Sequence, residues 1–187
     1  MNAEAVEALA AGRVVGVPTD TVYGLAADPF QKEALERLYE LKGRPADRPV
    51  ALLVASAAQA RRVAELTPEA EELGTRYWPG PLTLVLRRSP DLPEWLGNPE
   101  RDTVGVRVPD HPVALELLEV AGPLAVTSAN RSGDRPVLAA EQAEALFGNR
   151  VAVYLPGVSP GGEASTVLDL TEGARRVVRS GPLRIES

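Results

Sequence analysis

Side chains suited to binding a small anionic ligand are concentrated in four short polar segments of the chain. The segments are 19–24 (TDTVYG), 42–45 (KGRP), 127–133 (TSANRSG) and 160–166 (PGGEAST). The second places an ammonium and a guanidinium two residues apart, a combination that suits phosphate. The others offer hydroxyl groups and backbone N–H groups that can surround an anion. Each segment alone is more typical of a structural feature, namely a capped turn, a helix C-terminus or a flexible loop, but the residues leave both interpretations open.

Arg107 is the charged side chain whose position most needs an explanation. It lies in the apolar run 104–108 (VGVRV), which predicts a strand. A buried guanidinium is costly unless an anion pairs with it. That anion could be a ligand carboxylate or a structural Asp or Glu, and the sequence leaves both open.

The remaining candidate residues favour structural roles. His111 is the one histidine, and its place between Asp110 and Pro112 at a predicted helix start favours a capping-region role over a general base. Trp78 and Trp95 are predicted to pack rather than to stack on a ligand. The chain has no cysteine, which excludes disulfides, thiolate nucleophiles and cysteine-ligated zinc.

An alternation of helix and strand patterns must position these segments. The predicted helices are 2–11, 31–41 with Gly43 as its stop, one capped by Ser56, one starting at Thr67-Pro68, one capped by Asp110 and ending at Gly122, and one through 142–147. The predicted strands are 13–17, 50–55, 82–86, 103–108, 124–127, 151–155, 165–170 and 175–179, with 19–28 as a polar loop. The last strands lack helical crossovers, so the prediction is one α/β domain over 1–187 with a mixed sheet. Ligands gather at the carboxyl ends of strands in such sheets.

The length of the chain limits the number of domains, and its net charge bears on the kind of partner it binds. A chain of 187 residues allows one domain. Its formal net charge of −6 makes a module held to nucleic acid by phosphate neutralisation less favoured, although a local basic groove is compatible. Met1–Ala10 contains two glutamates and no Lys or Arg, and the apolar run 50–55 is far below the ~20 residues of a membrane span. We therefore expect a soluble, cytoplasmic protein without a membrane partner.

Seven stretches, taken in order, carry a resemblance to a known family. They are 18–28 (PTDTVYGLAAD), 42–45 (KGRP), 78–86 (WPGPLTLVL), 103–112 (TVGVRVPDHP), 124–133 (LAVTSANRSG), 165–169 (STVLD) and 179–181 (RSG). Together they resemble the YrdC/TsaC family of threonylcarbamoyl-AMP synthases over nearly the whole chain. The resemblance implies a twisted mixed sheet flanked by helices around a concave basic cavity. The chain stops at Ser187, so it looks like the short, single-domain type of the family.

The resemblance also implies a reaction. L-Threonine, bicarbonate and ATP would give threonylcarbamoyl-AMP and pyrophosphate, with Mg²⁺ entering on the ATP and held largely by phosphates and water. Downstream proteins would transfer the threonylcarbamoyl group to an adenosine beside the tRNA anticodon, and a weak tRNA contact is compatible with this role. A carbamate formed on the threonine amine attacks the α-phosphorus of ATP. No protein nucleophile is needed, so the work is positioning and charge stabilisation.

Site residues are implied by the positions that match the family pattern. The ATP-binding set is Lys42, Arg44, Arg48, Thr103, Ser128, Ala129, Asn130, Val137 and Arg179, with Lys42 and Arg44 as the catalytic residues and Ala129 and Val137 acting through backbone. The threonine-binding set is Thr21, Tyr23, Arg107, Thr127 and Ser165, with Arg107 taking the carboxylate. No metal site built from protein ligands is implied. Two positions depart from the pattern, since many members have Asn at Arg48 and His at Leu53.

Three other functions compete with this interpretation. An RNA-binding module would hold RNA in the same cavity without catalysis and would show a steep salt dependence of RNA affinity. A regulatory sensor would bind ATP and threonine and release no pyrophosphate. A carbamoyl-transfer domain of the hydrogenase-maturation type is found in much longer chains with zinc-finger cysteines, and this chain has neither feature.

Overall fold

The computed structural model describes residues 2–43, 49–131 and 133–185. Within these ranges the helices are α1 Asn2–Ala10, α2 Lys32–Lys42, α3 Ala57–Val63, α4 Pro68–Tyr77, α5 Pro112–Ala121 and α6 Ala140–Phe147, followed by a one-turn 3-10 helix, Gly148–Arg150. The strands are β1 Val15–Val17, β2 Gly24–Ala27, β3 Ala51–Leu53, β4 Leu82–Arg87, β5 Thr103–Arg107, β6 Leu124–Ser128, β7 Val153–Tyr154, β8 Thr166–Asp169 and β9 Arg176–Arg179. Apart from β2 and the 3-10 helix, each element overlaps one that the sequence predicts.

All the strands belong to one sheet, in the order β7-β1-β2-β6-β3-β5-β4-β8-β9. The pairs β1–β7, β3–β5 and β4–β8 are parallel. The pairs β1–β2, β2–β6, β3–β6, β4–β5 and β8–β9 are antiparallel. The prediction of one α/β domain with a mixed sheet flanked by helices is confirmed.

Strand β2 corrects the prediction that 19–28 is a loop. Its four residues are buried and pair with β1 on one side and β6 on the other. A Gly-Leu-Ala-Ala segment has little intrinsic strand preference, so pairing between distant parts of the chain determines its conformation. Gly24 also allows a close approach, because a Cβ there would lie 2.8 Å from the Val126 Cγ1 atom.

Helix ends follow the predicted signals with one exception. The Ser56 hydroxyl accepts from the Gln59 N–H at 3.3 Å, the Thr67 hydroxyl accepts from Ala70 N–H at 3.2 Å, and Gly43 ends α2 with a φ of 58°. The prediction that Asp110 caps α5 is wrong. The N-cap is His111, whose side chain makes no capping hydrogen bond, and the Asp110 N–H donates to Asp20 Oδ1 at 3.0 Å.

The two faces of the sheet are covered differently, and this creates the site. Leu52, Leu84 and Val106 belong to the larger apolar cluster, which also contains residues of α2, α3, α4 and α6. Leu53 belongs to a second cluster with residues of α1 and α5. Neighbouring strand residues point to opposite faces. The second face therefore carries both the α1–α5 core and, on β4, β5 and β8, a set of polar side chains.

None of the helices in 2–43, 49–131 and 133–185 combines the length and apolar character that crossing a membrane requires.

Candidate active site

A cavity of about 570 Å³ lies on this second face of the sheet. Its volume falls within the range typical of small-molecule sites, roughly 300–1,000 Å³. Strands β2 to β6, β8 and β9 all contribute lining residues, as does the segment before β2. The lining includes seven residues that the sequence assigns to a site: Thr21, Thr103, Arg107, Thr127, Ser128, Ser165 and Arg179. The structure thus brings members of both predicted ligand sets to one cavity.

Arg107 is buried at the end of β5 and is held by three different acceptors. Its Nε donates to the Gly80 carbonyl and its Nη1 to Thr21 Oγ1, both at 2.9 Å, and its Nη2 forms an ion pair with Asp20. The sequence left open whether the anionic partner of Arg107 is a ligand or a structural carboxylate. The structure supplies a structural one, and it also leaves donors for a ligand. These three bonds use three of the five guanidinium N–H groups, so two have no partner among residues 2–43, 49–131 and 133–185.

Opposing effects act on the pKa of Arg107. Burial lowers the pKa, the Asp20 carboxylate raises it, and the charge of Arg179 lowers it further, so the net direction is downward. An arginine starts so high that the side chain stays charged at neutral pH. Arg107 is therefore a fixed, oriented cation in the cavity wall.

Lys42 joins the end of α2 to the loop after β6. Its Nζ donates to the carbonyls of Ser128 and Asn130 at 2.7 and 2.6 Å and to Asn130 Oδ1 at 2.8 Å, and lies 3.4 Å from Ser128 Oγ. Lys42 is therefore in direct contact with Ser128 and Asn130, which the resemblance assigns to the same ATP-binding set. Lys42 and Asn130 are buried and do not themselves line the cavity, whereas Ser128 does. Arg44 and Arg48 lie outside the described residues.

The backbone at Ala129 and Val137 links the same loop to the start of β2. The Ala129 N–H donates to the Tyr23 carbonyl at 2.7 Å, the Tyr23 N–H to the Val137 carbonyl at 3.0 Å, and the Val137 N–H to the Ala129 carbonyl at 3.3 Å. Neither Ala129 nor Val137 is among the cavity-lining residues. The backbone N–H and carbonyl groups of Ala129 and Val137 are all engaged in these three hydrogen bonds. Their assigned contacts with ATP stay predictions.

The prediction that Tyr23 lines the threonine pocket is wrong. Its side chain is fully buried, and its hydroxyl donates to the Leu155 carbonyl at 2.7 Å. Burial raises the pKa of the phenol well above its usual range. Val22 and Gly24 line the cavity instead, because strand alternation turns the intervening tyrosine to the opposite face.

Ser165 and Arg179 meet at the end of the cavity formed by β8 and β9. Arg179 donates from Nε and Nη2 to the Ser165 carbonyl at 3.0 and 2.8 Å, and from Nη2 to Ser165 Oγ at 3.0 Å. Two residues on, a Cβ at Gly181 would lie 2.5 Å from the Ala164 carbonyl oxygen. Segment 179–181 can approach β8 this closely only with glycine at its end.

Sequence reasoning missed several cavity residues, among them Thr19, Thr83, Asn98, Arg101 and Asp169. Thr83 and Asp169 belong to stretches 78–86 and 165–169, which carry the family resemblance. Their place in those stretches is the signal that could have found them. Arg101 lies in an irregular segment between β4 and β5, and no pattern in the sequence marked it.

Asp169 is a buried carboxylate bound by two arginines. It accepts from Arg101 at 2.9 Å, from Arg176 at 2.7 Å, and from the Thr171 hydroxyl and N–H at 2.6 and 3.0 Å. Burial alone would raise the pKa of Asp169, but these hydrogen bonds together hold it well below its usual value of 3.8. The charged form of Asp169 is therefore part of the folded structure.

Replacing this carboxylate should destabilise the protein in a pH-dependent way. We expect Asp169→Asn to lower the free energy of unfolding by about 1–3 kcal/mol at pH 7, because two arginines lose a charged acceptor. A depressed pKa stabilises the fold above the ordinary value of 3.8. That contribution disappears as the pH falls through the lower folded value, so the difference between wild type and variant should shrink in acid. Urea unfolding at pH 7 and near pH 3 measures both.

Glu172→Gln provides the matched control for Asp169→Asn. Glu172 is exposed and also pairs with Arg101, at 2.9 Å. A surface ion pair contributes little, so the change should be below ~1 kcal/mol. An Asp169→Asn effect that is equally small, or that does not depend on pH, would contradict the assignment.

The net charge of the cavity depends on the ion pairs that its charged side chains form. The charged side chains that line it, within the described ranges, are Arg101, Arg107, Arg179 and Asp169. Arg101 pairs with Asp169 and Glu172, and Arg107 pairs with Asp20. A basic cavity thus stays a prediction. Leu53 lines the cavity, so the departure from the family's histidine places an apolar group against the ligand space.

No group of three or more His, Asp or Glu side chains in the described part of the chain is placed to hold a metal ion.

Comparison with known proteins identifies the family. The Sua5/YciO/YrdC family model, described as "Telomere recombination", matches residues 7–181. The chain belongs to this family. Sua5/YciO/YrdC relatives cover almost all of it: a Mycobacterium tuberculosis protein is 46% identical over 184 residues, which is 97% of this chain and 84% of that protein. The threonylcarbamoyl-AMP synthase of Pyrococcus abyssi is 43% identical over 178 residues, 94% of this chain and 52% of the synthase.

A solved member of the Sua5/YciO/YrdC family confirms the fold. The crystal structure of P. abyssi Sua5 complexed with L-threonine superposes with a TM-score of 0.90 at 41% identity, covering 96% of this chain and 53% of that chain. This chain thus spans about half the length of the Pyrococcus protein.

Proposed function

We propose that this chain is an L-threonylcarbamoyl-AMP synthase, a nucleotidyltransferase that forms threonylcarbamoyl-AMP and pyrophosphate from L-threonine, bicarbonate and ATP. The observation that carries the proposal is that members of both predicted ligand sets line the same cavity. Thr21, Arg107, Thr127 and Ser165, assigned to threonine, line it with Thr103, Ser128 and Arg179, assigned to ATP. The names of the relatives support the same activity.

The amino-acid half of the site is organised around Arg107. The two guanidinium N–H groups that its protein partners leave unused match the two oxygens of a carboxylate. Because Asp20, Thr21 and Gly80 fix the guanidinium beforehand, threonine binding spends little on ordering it. Thr127 and Ser165 line the same cavity and supply hydroxyl groups for the ammonium and hydroxyl of threonine.

The nucleotide half is organised around Lys42 and the loop after β6. Lys42 holds the backbone of Ser128 and Asn130 in place and puts a buried positive charge behind Ser128, which lines the cavity. Arg44 and Arg48 follow α2 directly and complete the proposed phosphate-binding set. A preorganised cation next to phosphates is most valuable where negative charge develops in the transition state.

The reaction needs no nucleophile from the protein. The amine of threonine and bicarbonate combine into a carbamate and water. A carbamate oxygen then bonds to the α-phosphorus of ATP as the bond to the bridging oxygen breaks, and pyrophosphate leaves with that electron pair. Mg²⁺ enters as part of the substrate Mg·ATP. Holding the carbamate oxygen near the phosphorus is the main contribution of the cavity.

The product would pass to proteins that transfer the threonylcarbamoyl group to tRNA, with at most a weak tRNA contact by this chain. ATP and tRNA are both cytoplasmic, so the proposed function agrees with the location that the sequence predicts.

Pyrophosphate release tests the proposal directly. We expect release from Mg·ATP only when L-threonine and bicarbonate are both present, and loss of release when either is omitted. Release independent of threonine would contradict the proposed reaction. A protein that binds ATP and threonine without releasing pyrophosphate would be a sensor. RNA binding with a steep salt dependence and no pyrophosphate release would indicate a binding module.

A further inference from the structure

Two buried hydroxyl groups, on Thr83 and Ser165, lie side by side in the cavity wall. Their oxygens are 2.8 Å apart, and each residue is only 4% exposed. Both residues line the cavity. Thr83 lies in β4, where its register partner in the parallel strand β8 is Val167, and Ser165 lies one residue before β8 begins. Strand pairing therefore fixes Thr83, and the adjoining start of β8 fixes Ser165.

The hydrogen bonds of this pair leave one hydroxyl proton without an acceptor. A hydroxyl has one proton to donate and two acceptor positions. Arg179 Nη2 donates to Ser165 Oγ at 3.0 Å, and one hydrogen bond joins the two hydroxyls. One of the two hydroxyls donates its proton in that bond. The proton of the other hydroxyl has no acceptor within the described ranges. A buried donor left unsatisfied is costly, so the pair favours a ligand that accepts.

The guanidinium of Arg179 favours one direction for this chain of hydrogen bonds. A hydroxyl that accepts from a cation is polarised and becomes a stronger donor. Ser165 then donates to Thr83, and the proton of Thr83 is available to the cavity. Thr83 is therefore the group that would contact the ligand.

The charges around the pair favour an anion as that ligand. Leu84 pairs with Val106 in the β4–β5 ladder, so Thr83 lies across from Arg107 on the same face. Two N–H groups of Arg107 have no partner among the described residues. The positive charge of Arg179 is close enough to lower the pKa of Arg107. An anion between the two guanidinium groups would relieve this repulsion and accept from Thr83.

We propose that Thr83, Ser165 and Arg179 form an oxyanion subsite beside Arg107, in which Thr83 donates the hydrogen bond to a planar CO₂-type anion. The identity of that anion rests on the proposed function, which offers two sources: the carboxylate of threonine, and bicarbonate or the carbamate made from it. The hydrogen-bond count itself does not depend on the reaction.

Two substitutions at Thr83 distinguish the effect of the hydroxyl group from the effect of side-chain shape. Thr83→Val removes the hydroxyl and keeps the methyl group that lies over Gly105. Thr83→Ser keeps the hydroxyl. For Thr83→Val we expect about a ten-fold or larger rise in the KM for either threonine or bicarbonate, since a hydrogen bond to a charged group is lost. Thr83→Ser should stay within roughly three-fold of wild type, and both variants should keep the thermal stability of the wild type.

The two sources give different kinetic results. KM is measured for bicarbonate at saturating threonine and for threonine at saturating bicarbonate, by pyrophosphate release. A rise in the bicarbonate KM alone assigns the subsite to bicarbonate or the carbamate. A rise in the threonine KM alone assigns it to the amino-acid carboxylate. Unchanged KM values in Thr83→Val, or equal impairment in Thr83→Ser, would overturn the proposal.

A binding measurement keeps this test separate from the proposed function. If the wild type releases no pyrophosphate, the reaction is wrong, but the subsite can still be tested. Calorimetry with L-threonine and the ¹³C line width of labelled bicarbonate compare wild type with Thr83→Val. Weaker binding of either anion to the variant supports the subsite. Equal binding to both proteins, or no binding to the wild type, refutes it.

Discussion

Arg107→Lys should raise the KM for L-threonine by about 30- to 1,000-fold while the protein still folds. Lysine keeps the positive charge opposite Asp20, so no unpaired carboxylate is left. It cannot reach Gly80, Thr21 and Asp20 together and still present two parallel donors to a carboxylate. A lost bidentate charge-assisted pair of this kind is worth roughly 2–4 kcal/mol, which corresponds to a factor of 30 to 1,000. Threonine calorimetry and pyrophosphate release measure the effect.

Arg87→Lys is the matched control for Arg107→Lys. Arg87 ends β4, the strand next to β5, and its exposed side chain donates to the Arg101 carbonyl at 2.9 Å. Threonine affinity should not change in this variant. If Arg107→Lys binds threonine as tightly as the wild type, Arg107 is a structural cation that only holds Asp20, and the carboxylate binds elsewhere.

Local sequence signals predicted most elements of the fold because those elements depend on neighbouring residues. Helix α2 shows an apolar face and a glycine stop, and Thr67 followed by Pro68 marks the start of α4. Strand β2 shows none of these signals. Its conformation comes from pairing with β1 and β6, and β6 is about 100 residues away in sequence.

The same distinction explains which parts of the site could be predicted. Residue type drew attention to Lys42 and Arg107, and the resemblance to the family added Ser128. The partners of these residues could not be predicted. Asp20 lies 87 residues from Arg107 in sequence, and no local pattern links the two. Tyr23 was misplaced and Thr83 was missed for a related reason, because the face on which a strand residue lies is decided by sheet register.

Lys42→Ala should reduce turnover by about 100- to 1,000-fold while threonine affinity stays within roughly three-fold of wild type. The ammonium of Lys42 lies near the carbonyls of Ser128 and Asn130 and, in the proposed function, near the phosphates of ATP. A preorganised cation that stabilises charge developing on pyrophosphate affects the transition state more than the bound substrate. Arg107, at the centre of the threonine-binding set, is held by separate contacts to Gly80, Thr21 and Asp20, so threonine affinity should be largely retained. Pyrophosphate release gives kcat, and calorimetry gives the threonine Kd.

Lys32→Ala separates this effect from a general loss of positive charge or of helix α2. Lys32 begins the same helix, is exposed, and makes only a 3.9 Å surface pair with Glu36. Its replacement should change neither turnover nor threonine affinity. Lys42 also holds the loop that contains Thr127 and Ser128, so a purely structural lysine would give a different result. Threonine affinity would then fall together with turnover, because the loop that lines the cavity would lose its support. Unchanged threonine binding with greatly reduced turnover is therefore the combination that assigns the charge of Lys42 to catalysis.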